Sequence, residues 1–118
     1  MRDEDRIRLR HMLDAARDAV AFARSRKRED LDRDRQFALA LVKCVEIVGE
    51  AASQVSAEGQ KEVVALPWRE IIDMRHHLVH AYYDINMEIL WRTIAKDLPP
   101  LIQVLQQVAG PNLGGQDG

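Results

Sequence analysis

The sequence is poor in the residues that cross-link small domains or fill their cores with rings. Its 118 residues include one cysteine, Cys44, which excludes an intramolecular disulfide and every metal site built from several cysteines. Aromatic residues make up 5%, so the core has to consist mainly of leucine, isoleucine, valine and alanine. The formal net charge of −2 argues against binding to nucleic acid through bulk positive charge, although it is compatible with a local basic pocket.

Long apolar runs are also missing. No stretch approaches the length of a membrane-spanning helix, and the N-terminal residues MRDEDRIRLR lack the apolar segment of a signal peptide. The chain is long enough to bury one core and too short for two domains. We therefore expect a soluble, cytoplasmic, single-domain protein.

Apolar residues recur at three- and four-residue steps along most of the chain, which predicts an all-α bundle of four to five helices. The first helix should span roughly Asp3 to Arg24, and Asp30 or Asp32 should cap the second. The second helix is apolar around most of its circumference, so it should be covered on several sides. A second copy of the chain is the expected cover. Gly49, inside this helix, should permit close contact with another helix.

A third predicted helix follows a connecting segment. Residues 56–61 resemble a turn or a short helix, and Pro67 suits the first position of the next helix. The apolar pattern predicts that this third helix runs from Pro67 to about Val79 or Tyr82. No segment shows the alternating pattern of a β-strand.

The sequence of the last predicted helix indicates both where it begins and where it is interrupted. Asp84 or Asn86 should cap it, and the consecutive prolines 99–100 predict a kink, or a break followed by a restart. We expect the helical domain to span residues 1–109. The glycine-rich tail, 110–118, has nothing to bury and is expected to be disordered.

Three of the chain's four histidines lie within a span of five residues at the end of the third helix. On a helical wheel His76 and His80 fall on the polar face, whereas Arg75 falls among apolar positions. A guanidinium in such a place needs a carboxylate or a phosphate, and Glu46 and Glu50 of the second helix are the candidates within the chain. Arg75 is therefore either a structural ion-pair partner or an anion-binding group.

Spacing alone leaves other interpretations of these histidines open. His76 and His80 stand four residues apart, as in helical zinc sites, but no His-Glu-x-x-His pattern accompanies them. We therefore expect neither a metal nor another cofactor. The whole cluster could also consist of surface histidines next to a structural ion pair.

Arg75, His80 and Tyr82 form the pattern R-x-x-x-x-H-x-Y. It resembles the signature of the HepT-type toxins, minimal members of the HEPN ribonuclease superfamily. Position 76 is histidine where HepT-like sequences often have asparagine, which leaves the role of His76 open. The similarity covers nearly the whole chain except the tail, because further segments resemble the family in the same order: Val45–Ala52, Leu66–Ile72, Met74–His80 and Asp97–Pro99.

The resemblance implies a homodimeric bundle that places two copies of the motif in one cleft, and a metal-independent endoribonuclease. The implied partners are an RNA substrate and a nucleotidyltransferase antitoxin of the MNT type, with assembly beyond the dimer left open. In part of the family the antitoxin attaches adenylyl groups to the motif tyrosine, here Tyr82. Arg75 would clamp the phosphate and His80 would be the acid–base catalyst. His76 would orient the RNA or transfer the second proton.

Two other classes of function are compatible with the sequence. The chain could be a non-catalytic HEPN module that assists a partner nucleotidyltransferase, or a purely structural dimeric helical protein. Cleavage of RNA in the presence of a metal chelator, lost in His80→Ala, would separate the nuclease from both.

Overall fold

The computed structural model of the chain describes residues 1–81 and 84–109, and for 79–81 and 109 it describes the backbone alone. It confirms the all-α bundle. The predicted disorder of the tail, 110–118, and the motif tyrosine, Tyr82, lie outside the described residues. The helices in chain order are α1 (Asp3–Ala23), α2 (Asp30–Arg33), α3 (Arg35–Ser53), α4 (Ala57–Glu62), α5 (Trp68–Leu78), α6 (Met87–Arg92) and α7 (Leu98–Ala109).

The first helix forms as its pattern predicts. It begins with acidic residues in its first turn, which suit the positive end of the helix dipole. Its apolar stripe packs against α3 and α7, and includes Leu9, Met12, Leu13, Ala16 and Ala19. None of the described helices is long and apolar enough to cross a membrane.

The prediction for the cap of the second long helix was wrong. Asp34 caps α3, because its Oδ1 accepts a hydrogen bond from the backbone N–H of Phe37 at 3.1 Å. Asp30 instead begins the short helix α2, and its carboxylate accepts from the backbone N–H of Lys27 at 2.8 Å. Three aspartates at alternate positions are equally good caps, so the local sequence does not choose among them.

The apolar surface of α3 is covered mostly by the chain itself. Helices α1, α2 and α5 pack around it, which leaves Leu39 and Ile47 exposed at 44% and 38%. The sequence predicted that a second copy of the chain covers the apolar surface of α3. In the structure these three helices cover most of it. A Cβ added to Gly49 would lie 3.3 Å from the carbonyl oxygen of Ile71 in α5, which confirms that this glycine permits a close helix contact.

The third long helix ends one residue before Val79, the nearer of the two predicted ends, and a small β-hairpin that the sequence did not predict follows it. Helix α5 ends at Leu78, and β1 (Val79–Ala81) pairs antiparallel with β2 (Asp84–Ile85). The backbone N–H of Asn86 then donates to the carbonyl oxygen of Leu78 at 2.7 Å. This return of the chain satisfies a carbonyl at the helix end that a longer α5 would have used itself.

Asn86 caps the next helix, α6, and is one of the two residues predicted for this position. Its Oδ1 accepts from the backbone N–H of Ile89 at 3.0 Å. Between α6 and α7 lies a π-helical turn, Thr93–Asp97, in which the N–H of Leu98 donates to the carbonyl of Thr93. This turn lies directly before prolines 99–100, where the sequence predicts a kink or break, because Pro99 and Pro100 have no N–H to donate to the carbonyls of Ala95 and Lys96.

Candidate active site

Arg75 lies in the last turn of α5, where a cation interacts favourably with the helix dipole. Its Nε donates to Oε2 of Glu46 in α3 at 2.8 Å. The Arg75 side chain is 49% exposed and that of Glu46 30%, so the guanidinium is not buried among apolar neighbours as its wheel position suggested. A pair this exposed contributes about 0–1 kcal/mol to stability. Glu50, the other candidate partner, accepts a hydrogen bond from Gln54 Nε2 at 2.9 Å.

The ion pair opens into a cleft of about 450 Å³ between α1, α3 and α5, which we call the charged cleft. Its lining includes three cationic side chains and two carboxylates. The cleft is therefore slightly basic, although the net charge of the chain is −2. Its lining residues are Arg8, His11, Lys43, Glu46, Ile47, Glu50, Ala51, Gln54 and Arg75.

Three basic residues of this cleft had no place in the sequence analysis: Arg8 and His11 of α1, and Lys43 of α3. Each stands beside an apolar stripe that identified its helix, so the local pattern marked it only as polar surface. Which polar edge of α1 lies next to Arg75 depends on how α1, α3 and α5 pack. The sequence carries no signal for that arrangement.

The three clustered histidines do not all belong to one helix in the structure. His80 is in β1, beyond the end of α5, so the angle of about 140° that a continuous helix would place between it and Arg75 does not apply. His76 is exposed in the last turn of α5 and is not among the residues that line the charged cleft. His77 lines a different cavity.

That second cavity is an apolar groove of about 460 Å³ on another face of α5. The π-helical turn and helices α6 and α7 form its other walls. Its lining is mainly apolar, with residues such as Ile71, Met74, Ile89, Leu101 and Val104. Helix α5 therefore separates a charged cleft from an apolar groove.

The only cysteine is unsuited to nucleophilic chemistry. Cys44 is buried in α3, and burial raises the pKa of its thiol to about 11, with a smaller contribution from Asp18. A thiol with such a pKa carries almost no thiolate at neutral pH, and the thiolate is the reactive form. Among the residues that the structure describes, no group of three histidine, cysteine, aspartate or glutamate side chains is placed to hold a metal ion.

Fold and site together define a class: small helical bundles in which an R-x-x-x-x-H motif stands at the end of one helix, beside a charged cleft. A family model described as "Ribonuclease HepT-like" matches residues 12–108, and the chain belongs to this family. The match confirms the resemblance seen in the motif and in the segments around it.

Several relatives match most of the chain. "Putative RNase TTE0752" of Caldanaerobacter subterraneus subsp. tengcongensis is 31% identical over 100 residues, which cover 85% of this chain and 89% of that protein. "Probable ribonuclease HepT" of Thermococcus cleftensis is 34% identical over 73 residues, which cover 62% of this chain and 66% of that protein. "Putative RNase MJ1380" of Methanocaldococcus jannaschii is 25% identical over 90 residues, or 76% of this chain and 83% of that protein. No solved structure gave a significant match to the chain.

Proposed function

We propose that the chain is a metal-independent endoribonuclease and the toxin of a toxin–antitoxin pair. The observation that carries the proposal is the position of Arg75, because the motif arginine faces the charged cleft in a chain of the HepT-like ribonuclease family. The names of the relatives support RNA as the substrate.

RNA supplies its own nucleophile for cleavage without a metal, the ribose 2′-hydroxyl. A base takes the hydroxyl proton, the 2′-oxygen attacks phosphorus, the bond from phosphorus to the 5′-oxygen breaks, and an acid protonates that oxygen. The products are a 2′,3′-cyclic phosphate and a 5′-hydroxyl end. His80 transfers one of the two protons, since the ordinary pKa of histidine, near 6.5, suits either role.

Arg75 holds the phosphate, on which negative charge grows during the reaction. Its Nε is already held by Glu46, which orients the guanidinium. Within the described part of the chain its two η nitrogens donate no hydrogen bond, and a phosphate binds there. His76, exposed directly after Arg75, orients the RNA.

The test is cleavage of a synthetic RNA by the purified protein in the presence of a metal chelator. Arg75→Ala and His80→Ala should each lower the cleavage rate by about 100-fold or more. Both variants should keep the helical circular-dichroism signal of the parent, because removing a half-exposed ion pair costs little stability. Arg69→Ala is the matched control, an exposed arginine of the same helix outside the motif.

Two results would contradict the assignment. A parent protein that leaves RNA intact in chelator would overturn the proposed activity. A variant of Arg75 or His80 that cleaves as fast as Arg69→Ala would overturn the role of that residue alone.

We also propose that a nucleotidyltransferase antitoxin silences the enzyme by adenylylating Tyr82. The phenolic oxygen attacks the α-phosphate of ATP, the bond to the β-phosphate breaks, and pyrophosphate leaves. The attached nucleotide adds bulk and an anion at the motif, where the phosphate could pair with Arg75 in place of the RNA backbone. This proposal rests on the motif spacing and on family membership.

Peptide mass spectrometry after co-expression with the antitoxin tests it. The peptide with Tyr82 should gain the mass of AMP, and the modified protein should no longer cleave RNA. Tyr82→Phe should escape both effects, whereas Tyr83→Phe, one residue outside the motif spacing, should be modified and silenced like the parent. An unmodified Tyr82 in toxin that is neutralised by active antitoxin and ATP would refute the mechanism.

A further inference from the structure

Cleavage without a metal needs two proton transfers, and the proposed function assigns one of them to His80. Among the described side chains that line the cleft which Arg75 faces, the one histidine is His11 of α1. His76 and His77 are nearer to the motif in sequence, but the first does not line this cleft and the second lines the apolar groove.

We infer that His11 is the second proton-transfer group of the site, with His80 as the first. The inference rests on the proposed ribonuclease function and adds to it a catalytic residue that lies outside the motif. Arg8 stands three residues before His11, so the two side chains share one face of α1 and line the charged cleft together.

The surroundings of His11 suit a group that has to exchange protons with a substrate. Its imidazole is exposed and makes no hydrogen bond to any other residue that the structure describes. The two carboxylates of the cleft are already engaged, Glu46 with Arg75 and Glu50 with Gln54. Among the described side chains that line this cleft, His11 is the one imidazole, and it is open to a substrate.

Several charged groups line the same cleft as His11. They are Arg8 on its own helix, Lys43, Glu46 and Glu50 on α3, and Arg75 on α5. The cleft volume of about 450 Å³ lies within the range of ligand-binding sites, roughly 300–1,000 Å³. A cleft of this size accommodates a phosphodiester with its flanking riboses, and the inference requires His11 and Arg75, which line it together, to reach the same phosphate.

The first experiment compares His11→Gln with His77→Gln, the matched control from the apolar groove. His11→Gln should lower the maximal rate of RNA cleavage by about 100-fold or more, and should remove one limb of the bell-shaped pH–rate profile. Its affinity for an RNA with a 2′-deoxy sugar at the cleavage site, which binds but cannot react, should match that of the parent. His77→Gln should leave rate, profile and affinity unchanged.

A substrate with sulfur in place of the bridging 5′-oxygen shows which proton His11 transfers. A thiolate leaves without protonation, so His11→Gln should cleave this substrate as fast as the parent if His11 is the acid. Continued slow cleavage makes His11 the base. Either result supports the inference.

Three outcomes overturn it. His11→Gln could cleave ordinary RNA like the parent while Arg75→Ala and His80→Ala do not, in which case the proposed function stands and the role of His11 falls. A loss of affinity for the deoxy RNA as large as the loss of rate would make His11 a binding group. A parent without RNA cleavage would remove the proposed function and this inference together.

Discussion

Among the described residues, Asp5 is the buried carboxylate that ties the start of α1 to the start of α4. Its two oxygens accept hydrogen bonds from the backbone N–H of Ser56 at 2.9 Å and from the Ser56 hydroxyl at 2.6 Å. The Ser56 hydroxyl also accepts from the N–H of Gly59, so it caps α4. These hydrogen bonds hold the pKa of Asp5 below its ordinary value. The bond from the Ser56 hydroxyl contributes most, and the bond from the Ser56 backbone N–H comes second.

Asp5→Asn should destabilise the protein by about 1–3 kcal/mol near neutral pH, because a neutral amide has one accepting oxygen instead of two and lacks the negative charge that strengthens the hydrogen bonds from Ser56. Urea unfolding followed by circular dichroism measures the change. Asp3→Asn is the matched control, since Asp3 is exposed and meets Arg6 at only 3.7 Å. Equal midpoints for the two variants would contradict the structural role of Asp5.

The same carboxylate predicts a pH dependence of stability. A pKa that is lower in the folded than in the unfolded state stabilises the fold above the unfolded value, which is about 3.9 for aspartate. This stabilisation is lost as the pH falls through the lowered folded value. The difference in unfolding free energy between the parent and Asp5→Asn should therefore be constant above about pH 5 and should shrink below about pH 4. A difference that persists undiminished in acid would contradict this linkage.

Cys44 should resist thiol reagents in the folded protein. Its thiol has a pKa of about 11 and is buried, so both the thiolate fraction and access are low. Reaction with a disulfide reagent at mildly alkaline pH should be slow in buffer and fast in denaturant. Equal rates in the two conditions would contradict the buried position.

Contacts between helices set the cost of changes in α3. In an exposed helix Gly→Ala would gain about 1 kcal/mol. At Gly49 the new methyl would lie 3.3 Å from the carbonyl oxygen of Ile71 and 3.5 Å from that of Ile72. Backbone atoms of a packed helix move together, so Gly49→Ala should destabilise the protein by about 1–3 kcal/mol.

Thermal or urea unfolding decides the sign of this effect. Gln36→Ala, at an exposed position of the same helix, is the control for a change in helix propensity alone. If the Gly49→Ala variant is at least as stable as the parent, the predicted destabilisation is wrong, and α3 and α5 adjust to the methyl group.

The elements that the sequence predicts correctly are those decided by local signals. The apolar period places α1 almost to the residue, and an asparagine before an apolar run locates the start of α6. The hairpin after α5 was missed because it depends on a hydrogen bond from Asn86 to Leu78, eight residues apart, which competes with continuation of the helix. Such a bond depends on where the following segment packs, and the apolar pattern around Leu78 carries no information about it.

The residues of the candidate site also fall into two groups, those recognisable from the sequence and those that only the packing of the helices brings together. Arg75 is recognisable because its spacing to His80 and Tyr82 is a property of the sequence alone. Its contact with Glu46, one of two candidates on α3, follows from the relative rotation of two helices. His11 comes from a third helix, and only the packed bundle brings it to the cleft.

For the whole molecule, the residual apolar surface of α3 bears on the predicted homodimer. Leu39 and Ile47 stay exposed on one side of this helix, at positions eight residues apart that share a helical face. Ile47 also lines the charged cleft. If a second copy of the chain covers these side chains with its own α3, its charged cleft would therefore lie next to that of the first copy.

We expect the parent to sediment as a dimer of two 13.5 kDa chains at micromolar concentration. Leu39→Glu with Ile47→Glu should shift it to the monomer, because two carboxylates in an apolar contact lose their hydration without gaining partners. Val64→Glu is the matched control, since Val64 is 80% exposed and lies outside α3. A monomeric parent would remove the dimer, and a double variant that stays dimeric would place the interface on another surface. If the composite cleft is needed for catalysis, the monomeric variant should also lose RNA cleavage while its helical content and unfolding midpoint stay close to those of Val64→Glu.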